Sequence, residues 1–292
     1  MRLYSFDWHG AARLGIALPS GKQLLDLAEA APELPKDAIQ FINCFSSLTS
    51  FLAELIRSPH SAEWLHQLDG LRLLAPVPRP GKIICSGINY RSHLQENPDA
   101  ILPEEPFFFA KMPSAVVGPS QPIKLPRYSN QVDYEIELAV VIGKAMKNIA
   151  ERDVLGHIFG YTILHDVSAR DVQFRQNQIT LGKNFDTFCP IGPCIATRDE
   201  IPNPDRIGLK TFLNGQRMQE GSTADWLFSL PRLLNFLSQR MTLEPGDIVS
   251  TGTPAGVGVF RKPQVFLKPG DVVSLEADQI GILQNVVIQD EN

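Results

Sequence analysis

Short apolar runs, several alternating with polar positions at period two, dominate the chain beyond residue 82. This strand pattern recurs over 82–86, 132–142, 160–165, 248–251, 272–277 and 280–288. Helical patterns are fewer. One is expected where Asn148 stands as N-cap with Glu151 three residues on, and Val154, Leu155, Ile158 and Phe159 share a face. A second runs through Leu230, Leu233, Leu234 and Leu237. Asn214-Gly215 is the signature of a tight hairpin, and Pro245-Gly246 and Pro269-Gly270 each place a turn before a β-branched strand. Residues 1–75 mix short strand-like pieces with an apolar-periodic stretch at 51–56 and carry no concentrated polar motif. The connector Ala75-Pro76-Val77-Pro78-Arg79-Pro80-Gly81 favours extended backbone. It predicts a small N-terminal α+β region over 1–75 and a main domain over 82–292. The strands are too many, and too irregularly interleaved with helices, for a doubly wound sheet or an eightfold barrel. An α+β architecture, predominantly β, fits the pattern.

At 292 residues and 43% hydrophobic, the chain can bury a sizeable core. Its formal charge of −5 and the lack of any basic run argue against nucleic acid or an anionic membrane surface as partner. A small molecule is expected instead. The longest apolar stretches, such as 138–142, fall far short of the roughly 20 residues that span a bilayer, and the N-terminus lacks a signal-peptide core. A soluble, cytoplasmic protein is the expectation. Cys44, Cys85, Cys189 and Cys194 form no C-x-x-C pair, and the six histidines form no H-x-x-x-H pair, so any metal must rely on oxygen ligands. The segment 252–258 is glycine-rich, yet it lacks the lysine of a phosphate loop and the spacing of a dinucleotide fingerprint.

Period-two geometry points Asp133, Glu135 and Glu137 to one face of a strand and Tyr134, Ile136, Leu138, Val140 and Ile142 to the other. Stacked carboxylates repel, and a solvated face is the ordinary outcome. Here the acidic face continues as Ala139 and Val141, so it enters the core, and buried paired carboxylates need a cation. Asp166, at the end of the apolar strand 160–165, offers a third oxygen ligand suited to Mg2+ or Mn2+. Arg170 reads equally as an ion-pair partner of Asp171 and as a substrate contact, and Gln173 can orient a polar substrate. Lys183 follows a glycine that permits close backbone approach, and a cation beside three carboxylates serves an anionic substrate. His93 and Glu96, at i and i+3, are either an exposed pair or a dyad that raises imidazole basicity and fixes its tautomer.

Five blocks in order and spacing make the chain from about Lys82 onward similar to the fumarylacetoacetate hydrolase family. They are Gly87-Ile88-Asn89-Tyr90 with His93 and Glu96; 132–138; Gly160-Tyr161-Thr162 with 166–173; 182–188 with 190–193; and 251–258. The resemblance implies a mixed β-sandwich roll, usually a homodimer. It implies Mg2+ or Mn2+ on Glu135, Glu137 and Asp166, substrate contacts from Lys183, Gln173 and Thr253, and a mobile lid on which His93 and Glu96 activate water. His165 departs from the family pattern, where Asn often precedes the metal-binding Asp. A 2-oxo acid chelating such a metal forms a stabilised enolate when a bond at C3 breaks. Hydrolytic C–C cleavage of an acylpyruvate-like diketo acid is the leading expectation, with decarboxylation or isomerisation of a related oxo acid as the alternative. A non-catalytic, metal-stabilised binding protein is the reading from another class.

Overall fold

Both faces of the 136–142 strand are dry, and this decides the architecture. A strand buried on both sides must lie inside a sheet covered by two further layers. The computed structural model describes residues 1–97 and 100–291. Its N-terminal part forms strands β1 (Arg2–Trp8), β2 (Ala11–Ala17), β3 (Gln23–Asp26), β4 (Leu65–Gln67) and β5 (Leu73–Leu74), with helices α1 (Leu27–Ala30) and α2 (Ala38–Arg57). Then come β6 (Ile83–Ser86), α3 (Arg91–Glu96), β7 (Phe108–Lys111), β8 (Val116–Val117), β9 (Ile123–Leu125), β10 (Val132–Asp133) and β11 (Ile136–Ile142). The next elements are β12 (Ile158–His165), β13 (Ser168–Ala169), α4 (Arg170–Gln173), α5 (Ile179–Gly182) and β14 (Cys189–Thr197). The chain closes with β15 (Gly208–Leu213), β16 (Gln216–Ser222), α6 (Leu230–Arg240), β17 (Ile248–Ser250), β18 (Val272–Ala277) and β19 (Gly281–Gln289).

One large sheet has the order β4-β3-β2-β1-β14-β12-β11-β17-β6-β7, and a second has the order β16-β15-β18-β19-β9. Ile136, Leu138, Val140 and Ile142 share a core with Leu209, Val273, Leu275, Leu283 and Val287 of the second sheet. Ala139 and Val141, on the opposite face, share the other core with Phe41, Ile42 and Leu52 of α2. The molecule is the mixed, mainly β architecture with a few helices that the sequence pattern indicates, arranged as the sandwich that the family resemblance implies. Among the described residues α2 is the one helix long and apolar enough to cross a bilayer, but here it lies on the sheet with Ala38, Phe41, Ile42 and Leu52 buried.

The chain boundary at 75–82 falls between β5 and β6, yet the large sheet is continuous across it. β1 pairs with both β5 and β14, so the N-terminal strands extend the sheet that carries the site. The helix expected from Asn148 is replaced by 3-10 turns over Glu151–His157, and Ile158 and Phe159 already belong to β12. Pairing of β12 with β11 and β14 overrides the helical periodicity. Asn148 takes a left-handed φ of 53° rather than a cap geometry. The Asn214-Gly215 hairpin forms as expected, with positive φ of 52° and 80° joining β15 to β16.

Candidate functional site

The site lies where β10 gives way to β11 and β12 runs out into β13. The Asp166 amide donates to the Glu135 carbonyl at 3.0 Å, which locks the two strand ends together. One oxygen from each of Glu135, Glu137 and Asp166 lies within 4.8 Å of the others, and all three residues are buried. Among the described residues this is the only cluster of its kind. An all-oxygen, all-carboxylate set fits a hard divalent cation of the Mg2+ or Mn2+ type. A cavity of about 890 Å3 lies elsewhere, between α2 and the sheet, with Ile42, Phe45 and Phe159 in its wall. It is lined by none of these carboxylates, so the chemistry and not the volume marks the site.

Neighbouring cations explain how the cluster survives without water. Lys183 Nζ donates to Glu135 Oε2 at 2.7 Å and to Asp166 Oδ2 at 2.5 Å. Lys111 Nζ donates to Asp166 Oδ1 at 2.6 Å and to the Lys183 carbonyl at 2.5 Å. The Arg170 guanidinium reaches Glu135 Oε1 at 2.5 Å and Asp133 Oδ2 at 2.9 Å. Asp133 is occupied further by the Gly258 and Val259 amides, so it braces the site and leaves the ligand set to the other three. Four buried carboxylates thus face three buried cations. A divalent cation converts that one-charge deficit into the net positive site that an anionic ligand requires.

The imbalance falls on Glu137. Burial, then Asp166 and Glu135, push its carboxyl well above the usual range, against the Ser250 hydroxyl that donates to it. Glu135 goes the other way: burial would raise it, but Arg170 and then Lys183 hold it well below the usual range. Burial would lower the Lys183 ammonium, yet Asp166 and Glu135 raise it above its ordinary value. A metal must displace any proton on Glu137, while Glu135 carries none. Mg2+ or Mn2+ affinity is therefore expected to rise with pH until Glu137 is fully ionised and then to level off. Calorimetry across pH checks this, and an affinity that falls as pH rises would contradict it.

His93 and Glu96 connect to the same centre through the glycine-rich segment. His93 Nδ1 lies 2.9 Å from Glu96 Oε2, and Glu96 Oε1 accepts from the Gly256 amide at 2.6 Å. Because a carboxylate only accepts, Nδ1 carries the hydrogen and the lone pair of a neutral ring stands on Nε2. Earlier in the same segment the Gly252 amide donates to Glu137 Oε2 at 3.2 Å. Asp225 accepts from the Ser92 amide and Arg91 donates to the Trp226 carbonyl, so α3 is docked on the segment that follows β16. Gly256 has a φ of +108°, and a Cβ there would stand 2.3 Å from the Met218 carbonyl oxygen. Only glycine lets the segment pass so close.

Four expectations need revision or sharpening. Arg170, read as a substrate contact or a partner of Asp171, turns inward to Asp133, Glu135 and Gln173; Asp171 instead accepts from Ser129 and Asn130. Gln173 is half-buried, held by Arg170 Nη1 at 3.0 Å. His165 is fully buried, and burial, then Lys111, push its pKa down to about 3, so the ring is neutral and adds no charge. Thr253 is buried beside the site with its hydroxyl oxygen held by Gln219. Sequence reading missed Lys111, Ser250 and Gln219 altogether. Gly182 does allow the expected close approach, since a Cβ there would lie 2.7 Å from the Gln173 backbone nitrogen. Gly182→Ala is expected to cost about 1–3 kcal/mol of stability through this overpacking, read as a lowered Tm.

Comparison with known proteins follows the same lines. Residues 82–288 match the family model described as fumarylacetoacetate (FAA) hydrolase C-terminal. The chain is 44% identical over 293 residues to a Xenopus laevis protein named oxaloacetate tautomerase fahd2, mitochondrial, covering 99% of this chain and 90% of that one. A fumarylacetoacetate hydrolase from Exiguobacterium antarcticum is 36% identical with a TM-score of 0.84, covering 99% of this chain and 100% of the other. A maleylpyruvate hydrolase from Sphingobium sp. SYK-6, solved with manganese(II) and pyruvate, is 32% identical with a TM-score of 0.83 and full coverage of both chains at 100%. The mitochondrial designation of the Xenopus relative overturns the expectation of a cytoplasmic protein. Cytoplasmic residence had rested on the absence of a signal-peptide core, which says nothing of other compartments inside a cell. Matching motifs, a matching family model over most of the chain and whole-length relatives lead to one conclusion: this chain belongs to the fumarylacetoacetate hydrolase family.

Proposed function

We propose that the protein is a metal-dependent enzyme that interconverts the keto and enol forms of a small 2-oxo dicarboxylic acid, with oxaloacetate as substrate. The observation that carries this reading is the His93–Glu96 pair docked beside a carboxylate centre whose charge a divalent cation reverses. The name of the Xenopus relative supports the choice of substrate. Bound Mg2+ or Mn2+ on Glu135, Glu137 and Asp166 supplies Lewis acidity toward the 2-oxo oxygen.

The residues of the chain do the rest. Lys183 faces the charge that develops as the C3 proton leaves. Arg170 and Lys111 hold Glu135 and Asp166 so that Lys183 is not needed to neutralise them alone. His93 Nε2 takes the proton from C3, and a proton is returned to the 2-oxo oxygen, so that one C–H bond breaks, one O–H bond forms and no water is consumed. Glu96 keeps the ring in the tautomer that can accept. Lys183→Met should leave metal bound and lower kcat/KM roughly tenfold to hundredfold, matching the ~1.5–3 kcal/mol of a charged hydrogen bond. Unchanged kcat/KM in this variant would return Lys183 to a purely structural role.

The same dyad favours a second reading, since a base that removes a C3 proton can also deprotonate water. Hydrolytic C–C cleavage of a diketo acid is that second reading, in line with the maleylpyruvate hydrolase relative. The two are separated by following the enol absorbance of oxaloacetate and the release of pyruvate together, with metal-loaded and chelator-treated protein. Metal-dependent loss of enol without pyruvate supports tautomerisation. Cleavage of an acylpyruvate, with oxaloacetate enol decaying at its solvent rate, supports hydrolysis instead.

A further inference from the structure

We infer that Gln219 is a positioning residue that sets the polarity of the Thr253 hydroxyl and turns its hydrogen toward the carboxylate of the substrate. Gln219, on β16, is buried, with both acceptor and both donor positions of its amide occupied. Its Oε1 accepts from the Ile136 amide at 3.1 Å and from Thr211 Oγ1 at 2.8 Å. Its Nε2 donates to Thr253 Oγ1 at 2.8 Å and to the Pro254 carbonyl at 2.9 Å.

Two of these partners fix the amide without ambiguity. The Ile136 N–H can only donate and the Pro254 carbonyl can only accept, so a flipped amide would lose both bonds and set like against like. Thr253 Oγ1 must therefore accept from Gln219, and its own hydrogen points elsewhere. Among the described residues no protein acceptor takes that hydrogen. Thr253 follows Gly252, whose amide holds Glu137, so the free O–H stands beside the carboxylate centre. Ile136 sits between Glu135 and Glu137, so the same amide ties the ligand-bearing strand, the second sheet and the hydroxyl into one geometry. A buried donor with no protein partner, next to a centre that a divalent cation makes net positive, suits one oxygen of a carboxylate.

The inference rests on the oxo-acid reading and adds to it that Thr253 meets the substrate carboxylate. Pyruvate binding to the Mn2+-loaded protein, measured by calorimetry, is the test, run beside KM and kcat for oxaloacetate. In Gln219→Glu the introduced carboxylate can only accept, so the Thr253 hydrogen turns to it and away from the ligand. Pyruvate Kd should rise roughly tenfold in Gln219→Glu and in Thr253→Val, and the double variant should be no worse than Thr253→Val alone. Gln219→Met, which removes the polar atoms without adding charge, should show a smaller rise that likewise vanishes in the Thr253→Val background. Unchanged pyruvate Kd in Gln219→Glu and Gln219→Met, or additive effects with Thr253→Val, overturns the inference whatever happens to Tm. Unchanged Kd in Thr253→Val overturns it too. A parent protein that binds pyruvate in this pattern without acting on oxaloacetate overturns the tautomerase reading alone.

Discussion

Glu137→Gln is expected to bind Mg2+ or Mn2+ at least tenfold more weakly and to lose activity by more than about 10²-fold, since bound metal contributes several kcal/mol. Glu137 is the carboxylate without a cation of its own: Lys183, Lys111 and Arg170 serve Glu135, Asp166 and Asp133. The amide keeps an acceptor for Ser250 and the Gly252 N–H but carries no charge. The metal-free variant should consequently fold as well as the metal-free parent, because it removes the buried charge left uncompensated. Calorimetric titration with Mn2+ together with thermal unfolding separates the two effects. Undiminished affinity would take Glu137 out of the ligand set, and a collapsed fold would show that its charge is structural.

His93→Ala is expected to lower kcat by about 10²–10⁴-fold, the usual span of a general base, with metal affinity intact. Glu96→Gln should act through the same ring. An amide can present a donor as well as an acceptor to Nδ1, so the tautomer with a free Nε2 lone pair is no longer enforced. The Gly256 amide holds Glu96 in place, so the dyad is braced by the segment that carries Thr253. Steady-state kinetics at saturating Mn2+ checks both variants. Parental kcat in each would reduce the dyad to a latch between α3 and the glycine-rich segment.

The carboxylate triad is legible in the sequence because two periodicities coincide on one short stretch. The acidic face of 133–137 continues as Ala139 and Val141, and both faces of β11 are indeed buried. The strand-end position of Asp166 was visible for the same reason, from the apolar run that precedes it. Lys111 was invisible: a single lysine after three phenylalanines and an alanine looks like a strand edge, and only the pairing of β6 with β7 carries it under Asp166. Gln219 was hidden in an otherwise polar hairpin strand, since its four partners come from β11, β15 and the segment after Thr251. For Arg170 the sequence shows only its adjacency to Asp171 and leaves a substrate role equally open, whereas its carboxylate partners lie 35 and 37 residues away. Non-local pairing also hid the union of the N-terminal strands with the main sheet, for β1 meets β14 across most of the chain.

Deuterium exchange at C3 of oxaloacetate in D2O tests the central claim most directly, because proton transfer at that carbon is the proposed reaction itself. With Mn2+-loaded protein, exchange should exceed the solvent rate, need the metal, return to near the solvent rate in His93→Ala, and release no pyruvate in step. Exchange at the solvent rate with parent protein that nevertheless cleaves a diketo acid would contradict it.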